Sequence, residues 1–377
     1  MVIGVPRETH RHEHRVGLNP FGVSRLVQKG HTVFVETGAG EAAHFTDLNY
    51  QDAGGQIVYG PEEAYGRGDI VCRVGMVSND ELEFLRPGSI VCGFHHLAVA
   101  PRDVIQRLME LETTLISYEL VRAGTGYRPI LMPFSQMGGR MSVQIAAHHL
   151  QVESGGRGVL LGNVPGVPPP TVLILGAGTV GRAAARQASA MGAHVIVLDD
   201  NLRKLSTLNR ELTNQIVTVL AAEERLDQYT PIADVIIGAV LIPGERAPFL
   251  VTEQMVRAMK PGSVIVDISI DQGGCVETSR PMMLDHPTFK EHGVVHFCVP
   301  NVTANIPRTA SRALANAALP YLTDLADRGL DLALQEDLGL SEGTVLYRGR
   351  VANQRVGRSL DIEATPIDRL LLEGGAR

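Results

Sequence analysis

Three glycines at residues 176, 178 and 181 have the spacing that a phosphate-binding turn requires. They follow the apolar stretch 171–175 directly and precede an alanine-rich segment, so the pattern predicts a strand, a tight turn and a helix. Gly176 permits the turn, Gly178 lets the backbone approach a pyrophosphate, and Gly181 lets the helix pack closely on the strand. The helix N-terminus, with its free N–H groups and its dipole, favours the negative charge. The sequence therefore predicts a dinucleotide site.

An acidic residue follows the next apolar stretch, 194–198, at Asp199. An acidic side chain about 20 residues after the glycines accepts hydrogen bonds from the adenosine ribose hydroxyls in dinucleotide-binding units. Because a carboxylate there repels a 2′-phosphate, the sequence favours NAD over NADP as the cofactor. Arg203 and Lys204 lie close enough in sequence to moderate this preference.

Short apolar segments that alternate with helical patterns must position these motifs. The predicted strands are 2–5, 31–36, 69–74, 90–94, 114–118, 171–175, 194–198, 215–220, 234–239 and 263–268. The predicted helices include 20–29, 46–53, 79–85, 101–112, 134–151 and 309–328, and a polar tail follows the last of them. This alternation is typical of an α/β fold with doubly wound parallel sheets covered by helices on both faces.

The chain length favours two domains, because 377 residues exceed what one ordinary core accommodates. Glycine and proline are dense between residues 155 and 170, which predicts a loop between structural units. We expect a discontinuous substrate domain, residues 1–133 and 302–377, with a Rossmann-type NAD-binding domain, residues 134–301, inserted into it.

Composition argues against several functional classes. The net charge is -7 and the basic residues are scattered, so we expect no nucleic-acid partner. No apolar stretch approaches the 18 or more residues of a membrane span, and the N-terminus does not resemble a signal peptide. The four cysteines lie far apart in apolar surroundings, which is typical of free thiols in a reducing cytoplasm. We therefore expect a cytoplasmic protein with no membrane partner.

Several segments identify a resemblance to bacterial alanine dehydrogenases, which are relatives of the nucleotide-binding part of proton-translocating transhydrogenase. The similar segments cover nearly the whole chain at matching spacing. They are Gly4-Val5-Pro6-Arg7-Glu8-Thr9 with Glu13-x-Arg15-Val16, Glu36-Thr37-Gly38-Ala39-Gly40, His96-Leu97-Ala98, Gly155-Gly156-Arg157-Gly158, Gly238-Ala239-Val240-Leu241-Ile242-Pro243-Gly244 and Val266-Asp267-Ile268-Ser269-Ile270-Asp271-Gln272-Gly273-Gly274-Cys275.

The resemblance implies the NAD-dependent oxidative deamination of a small L-amino acid to a 2-oxo acid and ammonia, or the reverse reaction. It places Arg15 on the substrate carboxylate, for which a guanidinium is a rigid two-donor partner. It assigns acid–base catalysis to His96, because histidine exchanges protons near neutrality. It places Asp271 near the substrate nitrogen and the nicotinamide.

The remaining implied contacts concern the cofactor and the assembly. Besides the glycines, Asp199 and Asp271, the resemblance implies cofactor contacts at Ser135, Thr179, Val180, Val240, Leu241, Ile268 and Asn301. It implies a homo-oligomer, with a hexamer as the expected state. It implies no metal, although His10, His12 and His14 would share one face of a strand.

One position departs from the resemblance. Where the family has a segment similar to Lys-Val-Lys-Glu-Pro, this chain has Arg73-Val74-Gly75-Met76-Val77. Gly75 thus replaces the lysine that helps bind the substrate carboxylate and keto oxygen. Loss of a charged hydrogen bond costs about 1.5–3 kcal/mol, so we expect weak or absent activity on L-alanine.

Three explanations of Gly75 remain open at this point. The enzyme accepts a different, bulkier amino acid in the space left by the lysine, or Arg73 compensates because it lies two residues upstream on the same strand face. Alternatively, the chain binds NAD without efficient turnover, as a transhydrogenase-like module would. An opine-type amino-acid dehydrogenase is a further alternative function.

Overall fold

The computed structural model describes residues 1–97, 100–124, 126–213, 215–242 and 246–374. Contacts within these ranges divide the chain into two units, Met1–Phe134 with Ala304–Arg377 (unit 1) and Ser135–Thr303 (unit 2). Ala98, Pro243 and Gly244, which take part in the similar segments, lie outside the described residues.

Unit 1 contains an eight-stranded sheet in the order β15-β14-β6-β5-β4-β1-β2-β3. Pairing is parallel from β3 through β6, whereas β14 is antiparallel to both β6 and β15. The strands are β1 Val2–Val5, β2 Thr32–Glu36, β3 Gln56–Val58, β4 Ile70–Cys72, β5 Ile90–Gly93, β6 Thr114–Ser117, β14 Thr344–Tyr347 and β15 Arg350–Val351.

Helices connect the strands of unit 1. They are α1 Pro20–Gln28, α2 Asp47–Asp52, α3 Pro61–Arg67, α4 Arg102–Glu110, α10 Pro307–Arg328, α11 Leu330–Glu336, α12 Leu338–Gly343, α13 Gln354–Leu360 and α14 Ile367–Gly374. Helix α5, Leu131–His149, begins in unit 1 and continues in unit 2. One apolar core cluster packs side chains of β4, β5 and β6, such as Val71, Val91 and Leu115, against those of α4.

Unit 2 contains a seven-stranded sheet in the order β12-β13-β11-β10-β7-β8-β9, and only the β12–β13 pair is antiparallel. Its strands are β7 Thr171–Leu175, β8 His194–Asp199, β9 Ile216–Leu220, β10 Val235–Gly238, β11 Val264–Asp267, β12 Thr288–Glu291 and β13 Val294–Phe297. Its other helices are α6 Thr179–Ala190, α7 Leu202–Glu211, α8 Glu223–Tyr229 and α9 Glu253–Arg257. Leu173, Ile236 and Ile265 belong to its apolar core.

The predicted α/β fold class is confirmed, but several elements differ from expectation. Both sheets are mixed rather than wholly parallel. Strands β14 and β15 lie in the stretch expected to be a polar tail, because Thr344–Tyr347 is a buried strand of only four residues that sequence periodicity does not reveal. Strands β3, β12 and β13 and helix α3 were not predicted either, and residues Asn79–Phe84 form a 3₁₀ rather than an α-helix.

Within the described ranges, the helices lack the combination of length and apolar character that a membrane crossing requires.

Candidate active site

Four neighbouring strands of unit 1 end in residues that can do chemistry. Strands β6, β5, β4 and β1 are adjacent and parallel, so their carboxyl ends meet at one edge of the sheet. Glu119 follows β6, His96 follows β5, and Arg73 and Gly75 follow β4. Glu8 and Arg15 follow β1. The strand order reverses between β1 and β4, and ligands of open α/β sheets bind at such reversals.

Arg73 is the centre of a buried ionic network at this edge. Its Nη1 donates hydrogen bonds to Glu81 Oε2 and to Tyr65 Oη, both at 2.6 Å, and its Nη2 donates to Glu8 Oε2 at 2.8 Å. The side chain is only 2% exposed. Glu8 Oε1 also accepts from the Val74 N–H at 2.7 Å, so one carboxylate joins the loops that follow β1 and β4.

The charges in this network stabilise one another. Burial alone would lower the pKa of Arg73, but the Glu8 and Glu81 carboxylates and Tyr65 outweigh it and raise that pKa. Burial likewise opposes ionisation of Glu81, but the Arg73 guanidinium holds the pKa of Glu81 below its ordinary value. Arg73 and Glu81 are therefore charged at neutral pH.

This geometry argues against the hypothesis that Arg73 compensates for the missing lysine as a substrate ligand. A guanidinium turned toward a substrate would abandon Glu8 and Glu81, and unpairing buried charges costs several kcal/mol. The sequence indicated that Arg73 and Gly75 share a strand face but carried no signal for these partners, which lie eight and 65 residues away.

Gly75 has open space where a side chain would begin. A Cβ at this position would lie 3.8 Å from Glu8 Oε2, with no other heavy atom of the described residues within 4 Å. The residue is half-buried. A larger residue, or part of a ligand, can therefore occupy this volume beside the Glu8 carboxylate.

Arg15 is buried beside an acidic partner. Its backbone N–H and its Nε both donate to Glu13 Oε1, at 3.0 and 2.7 Å, and its Nη2 donates to Glu13 Oε2 at 2.5 Å. Its guanidinium carbon lies 5.5 Å from the ring centre of Phe134. The Phe134 ring in turn packs edge-on against Phe94, with ring centres 4.9 Å apart. Glu13 and Phe134 therefore fix the guanidinium plane.

His96 is exposed, whereas its neighbour His95 is buried. The His96 side chain is 53% exposed and its φ is 45°, in the left-handed region. The His96 ring stacks on Phe94, and the backbone N–H of His96 donates to Glu119 Oε1 at 2.8 Å. His95 instead donates from Nε2 to the Val91 carbonyl at 3.1 Å, and burial lowers the pKa of His95 to about 4. Of the two, only His96 is placed to exchange protons with a ligand.

The glycine turn of unit 2 has the geometry that a pyrophosphate requires. A Cβ on Gly181 would lie 1.8 Å from the Gly176 carbonyl oxygen, so only glycine lets α6 approach the turn this closely. Gly176 itself has a φ of 106°. A Cβ on Gly178 would meet nothing within 4 Å, so the space before the N-terminus of α6 is open. Thr179 and Val180 form the first turn of that helix.

Asp199 ends β8 beside this turn. Its Oδ2 accepts from the Ala177 N–H at 2.7 Å and its Oδ1 accepts from the Asn201 N–H at 2.9 Å. Lys204 Nζ lies 3.5 Å from Oδ2. The carboxylate therefore shapes the glycine turn.

The other strands of unit 2 place the remaining predicted cofactor residues at the same edge. Val240 and Leu241 follow β10, Ile268 and Asp271 follow β11, and Asn301 follows β13. The structure joins two of them, because Asp271 Oδ1 accepts from the Asn301 N–H at 2.7 Å. The Val240 N–H donates to Ser269 Oγ at 2.9 Å. Ser135 lies half-buried on helix α5.

Several residues at these edges were missed by the sequence interpretation. Asp267, at the end of β11, is buried and accepts hydrogen bonds from the backbone of Ser269 and Cys275 and from Ser279 Oγ, so it fixes the turn that carries Asp271. In unit 1 the missed residues are Tyr65, Glu81 and Glu119, together with the structural role of Glu8. Carboxylates inside or beside apolar strands are the signal that could have found Asp267 and Glu119.

Comparisons with known proteins agree with this architecture. The family model described as the N-terminal domain of alanine dehydrogenase/PNT matches residues 4–138, and the one described as the C-terminal domain matches residues 142–354. The alanine dehydrogenase of Mycobacterium tuberculosis (strain H37Rv) is 42% identical over 97% of this chain and 98% of the relative. That of Methanococcus maripaludis is 39% identical over 99% of this chain and 100% of the relative.

Solved structures give the same result. A structure titled L-alanine dehydrogenase superposes with a TM-score of 0.91 at 42% identity, covering 96% of this chain and 99% of that chain. A transhydrogenase from Sinorhizobium meliloti superposes with a TM-score of 0.82 at 24% identity, which shows a shared fold. The matches confirm the relationship predicted from the sequence motifs: the chain belongs to the alanine dehydrogenase/PNT family.

Proposed function

We propose that this protein is an NAD-dependent amino-acid dehydrogenase that oxidatively deaminates an L-amino acid to a 2-oxo acid and ammonia, or catalyses the reverse reaction. The observation that carries the proposal is the edge of the unit 1 sheet. There, the rigidly held Arg15 follows β1 and the exposed His96 follows β5, with only β4 between the two strands. An arginine suits the α-carboxylate of an amino acid, and a histidine suits the proton transfers of amine and imine chemistry.

The edge of unit 2 fits NAD. Gly176 and Gly181 form a turn that excludes side chains, and open space lies beyond Gly178 at the N-terminus of α6. Ala177 to Val180 would hold the pyrophosphate and Asp199 the adenosine ribose. We propose NAD rather than NADP, because the buried Asp199 carboxylate would repel a 2′-phosphate. Bound there, NAD supplies the hydride acceptor.

The residues of this chain would divide the remaining work. Arg15 binds the substrate carboxylate and orients the α-carbon. His96 takes a proton from the amine or from the water that releases ammonia, and returns it in the reverse direction. Asp271, held by the Asn301 backbone, stabilises positive charge on the substrate nitrogen. Ser135, Val240, Leu241, Ile268 and Asn301 would contact the cofactor, with Asn301 near its nicotinamide.

Gly75 sets the substrate preference. With Arg73 engaged by Glu8 and Glu81, its guanidinium does not replace the charge of the family lysine, so L-alanine loses part of its carboxylate binding. A bulkier amino acid recovers binding by filling the open volume, since burial of each CH₂ contributes about 0.8 kcal/mol. We therefore propose a small to medium L-amino acid larger than alanine as the substrate.

The family resemblance leads us to propose a homo-oligomer as the working form, and the buried free cysteines lead us to propose the cytoplasm as its location.

The test is a panel of L-amino acids with NAD, in which NADH and ammonium are measured in the same reaction. We expect equimolar NADH and ammonium, with 2-aminobutyrate, valine or norvaline ahead of alanine. NADH without ammonium would point to an opine-type reaction. NAD binding without NADH formation from any member of the panel would favour the transhydrogenase-like alternative and overturn the proposal.

A further inference from the structure

Glu119 lies directly behind His96 at the edge of the unit 1 sheet. It follows β6, its side chain is only 12% exposed, and its Oε1 accepts the His96 N–H at 2.8 Å. The same oxygen lies 4.0 Å from His96 Nδ1. One carboxylate thus contacts both the backbone and the ring of the proposed acid–base residue.

The backbone contact matters because His96 has an unfavourable conformation. A φ of 45° is uncommon for residues other than glycine. It costs on the order of 1–3 kcal/mol and persists only where the surroundings enforce it. The Glu119 carboxylate enforces it through the His96 N–H, and the Phe94 ring stacks on the imidazole with a 15° angle between the planes. Together they fix the direction in which the imidazole points.

The contact with the ring matters because one carboxylate oxygen of Glu119 accepts no hydrogen bond from the described residues. That oxygen, Oε2, is buried. The neighbouring His95 does not supply a charge, since its Nε2 donates to a backbone carbonyl and burial keeps the ring neutral. Arg128 contributes a positive field from farther away, without an ion pair to Glu119 among the described residues. The Glu119 carboxylate, 4.0 Å from Nδ1, is placed to attract positive charge that develops on the His96 ring during the reaction.

We propose that Glu119 is the positioning residue of His96: it holds the strained His96 backbone and stabilises the imidazolium that forms when His96 takes a proton from the substrate. This inference rests on the proposed function, because it assigns the proton to His96. The effect of Glu119 on the reaction passes entirely through His96.

The primary test is Glu119→Gln, which keeps an oxygen for the His96 N–H and removes the charge. The assay uses the best amino-acid substrate of the natural chain. We expect kcat to fall roughly ten- to hundredfold with little change in KM, because the attraction between the Glu119 carboxylate and the His96 ring, 4.0 Å apart, operates only when the ring carries a positive charge. Glu342→Gln is the matched control. Its carboxylate pairs with Arg122 in the same unit and does not contact His96, so kcat should stay within about twofold of the natural value.

A double-mutant cycle with His96→Asn separates positioning from a general structural role. If Glu119 acts through His96, the addition of Glu119→Gln to His96→Asn changes kcat by less than about twofold. Equal losses in both backgrounds would overturn the proposal, as would natural kcat in Glu119→Gln. If Glu119→Gln does not fold, Glu119→Asp, which keeps the charge, serves in the same cycle with the same criterion. If the natural chain oxidises no amino acid, the proposed function fails before the cycle begins.

Discussion

The two sheets follow the same strand order at their centres but present different chemistry at their carboxyl edges. In unit 1 the order is β3-β2-β1-β4-β5-β6, and in unit 2 it is β9-β8-β7-β10-β11-β13. The unit 2 edge uses glycines and backbone N–H groups around an open space. The unit 1 edge uses buried charged side chains that pair with one another. Each sheet has a crevice where its strand order reverses. The crevice of unit 2 therefore suits a large phosphate ligand, and that of unit 1 suits a small zwitterion.

The two edges also differ in completeness. Unit 2 has each feature that a dinucleotide requires: the three glycines, the helix N-terminus and the strand-end aspartate. Unit 1 keeps Arg15 and His96 but has an open volume at Gly75, beside a carboxylate already paired with Arg73. We infer that the cofactor half follows the family pattern, whereas the substrate half has diverged in what it accepts.

The largest expected effect is that of His96→Asn on turnover. We expect kcat to fall roughly 10²- to 10⁴-fold, the usual contribution of a general acid–base residue. Asparagine tolerates the left-handed backbone of this position, so the fold should survive. NADH binding, measured by fluorescence titration, should match that of the natural chain. Turnover within tenfold of the natural value would remove His96 from the mechanism.

The next effect concerns the stability of the unit 1 edge. Arg73→Met should lower the free energy of unfolding by about 3–5 kcal/mol, because it leaves Glu8 and Glu81 buried without their cation. Arg67→Met is the matched control, since Arg67 is half-exposed and pairs with Glu63 at the surface, a contact worth at most about 1 kcal/mol. Urea unfolding measures both. Similar losses in the two variants would contradict the buried network.

A smaller effect is expected at the unit 2 edge. Gly178→Ala should weaken NADH binding roughly ten- to hundredfold, because a methyl group would enter the space proposed for the pyrophosphate and disturb charged hydrogen bonds. Its melting temperature should not change, since the methyl would meet no heavy atom of the described residues within 4 Å. Gly181→Ala offers the contrast: its methyl would collide with the Gly176 carbonyl, so it should lower both stability and affinity. Unchanged NADH affinity in Gly178→Ala would falsify the proposal that the glycine turn holds the pyrophosphate.

The smallest effect is pH-dependent and belongs to His95. Because burial lowers its folded pKa to about 4, below that of an unfolded histidine, the unfolded chain binds a proton first as the pH falls. The natural chain should therefore lose about 1 kcal/mol of stability through His95 between pH 8 and pH 6. In His95→Leu this part of the loss should be absent. His149 and His296 titrate in both proteins, so equal pH slopes of the urea midpoints would show that His95 is protonated in the fold.

The two edges differed in how far sequence alone could predict them. The unit 2 site is local: the glycine spacing lies within six residues and Asp199 ends the next strand, so the pattern carries its own structural context. The unit 1 site is assembled from residues 8, 15, 73, 81, 96 and 119, whose proximity depends on strand order. Only the family resemblance indicated Arg15 and His96. Glu81 was missed because a lone acidic residue in a sequence gives no hint of a partner eight residues away. The position of Glu119 beside an apolar strand marks it as unusual but does not identify His96, 23 residues away, as its partner.

The proposed substrate preference depends most on Gly75, and L-alanine oxidation tests it directly. We would measure kcat/KM for L-alanine with NAD in the natural chain, in Gly75→Lys and in Gly75→Met, which fills the same volume without a charge. We expect a slow natural enzyme, a roughly ten- to hundredfold gain in Gly75→Lys and no gain in Gly75→Met. Alanine turnover by the natural chain on the order of 10 per second, unimproved by Gly75→Lys, would show that Gly75 does not disfavour alanine.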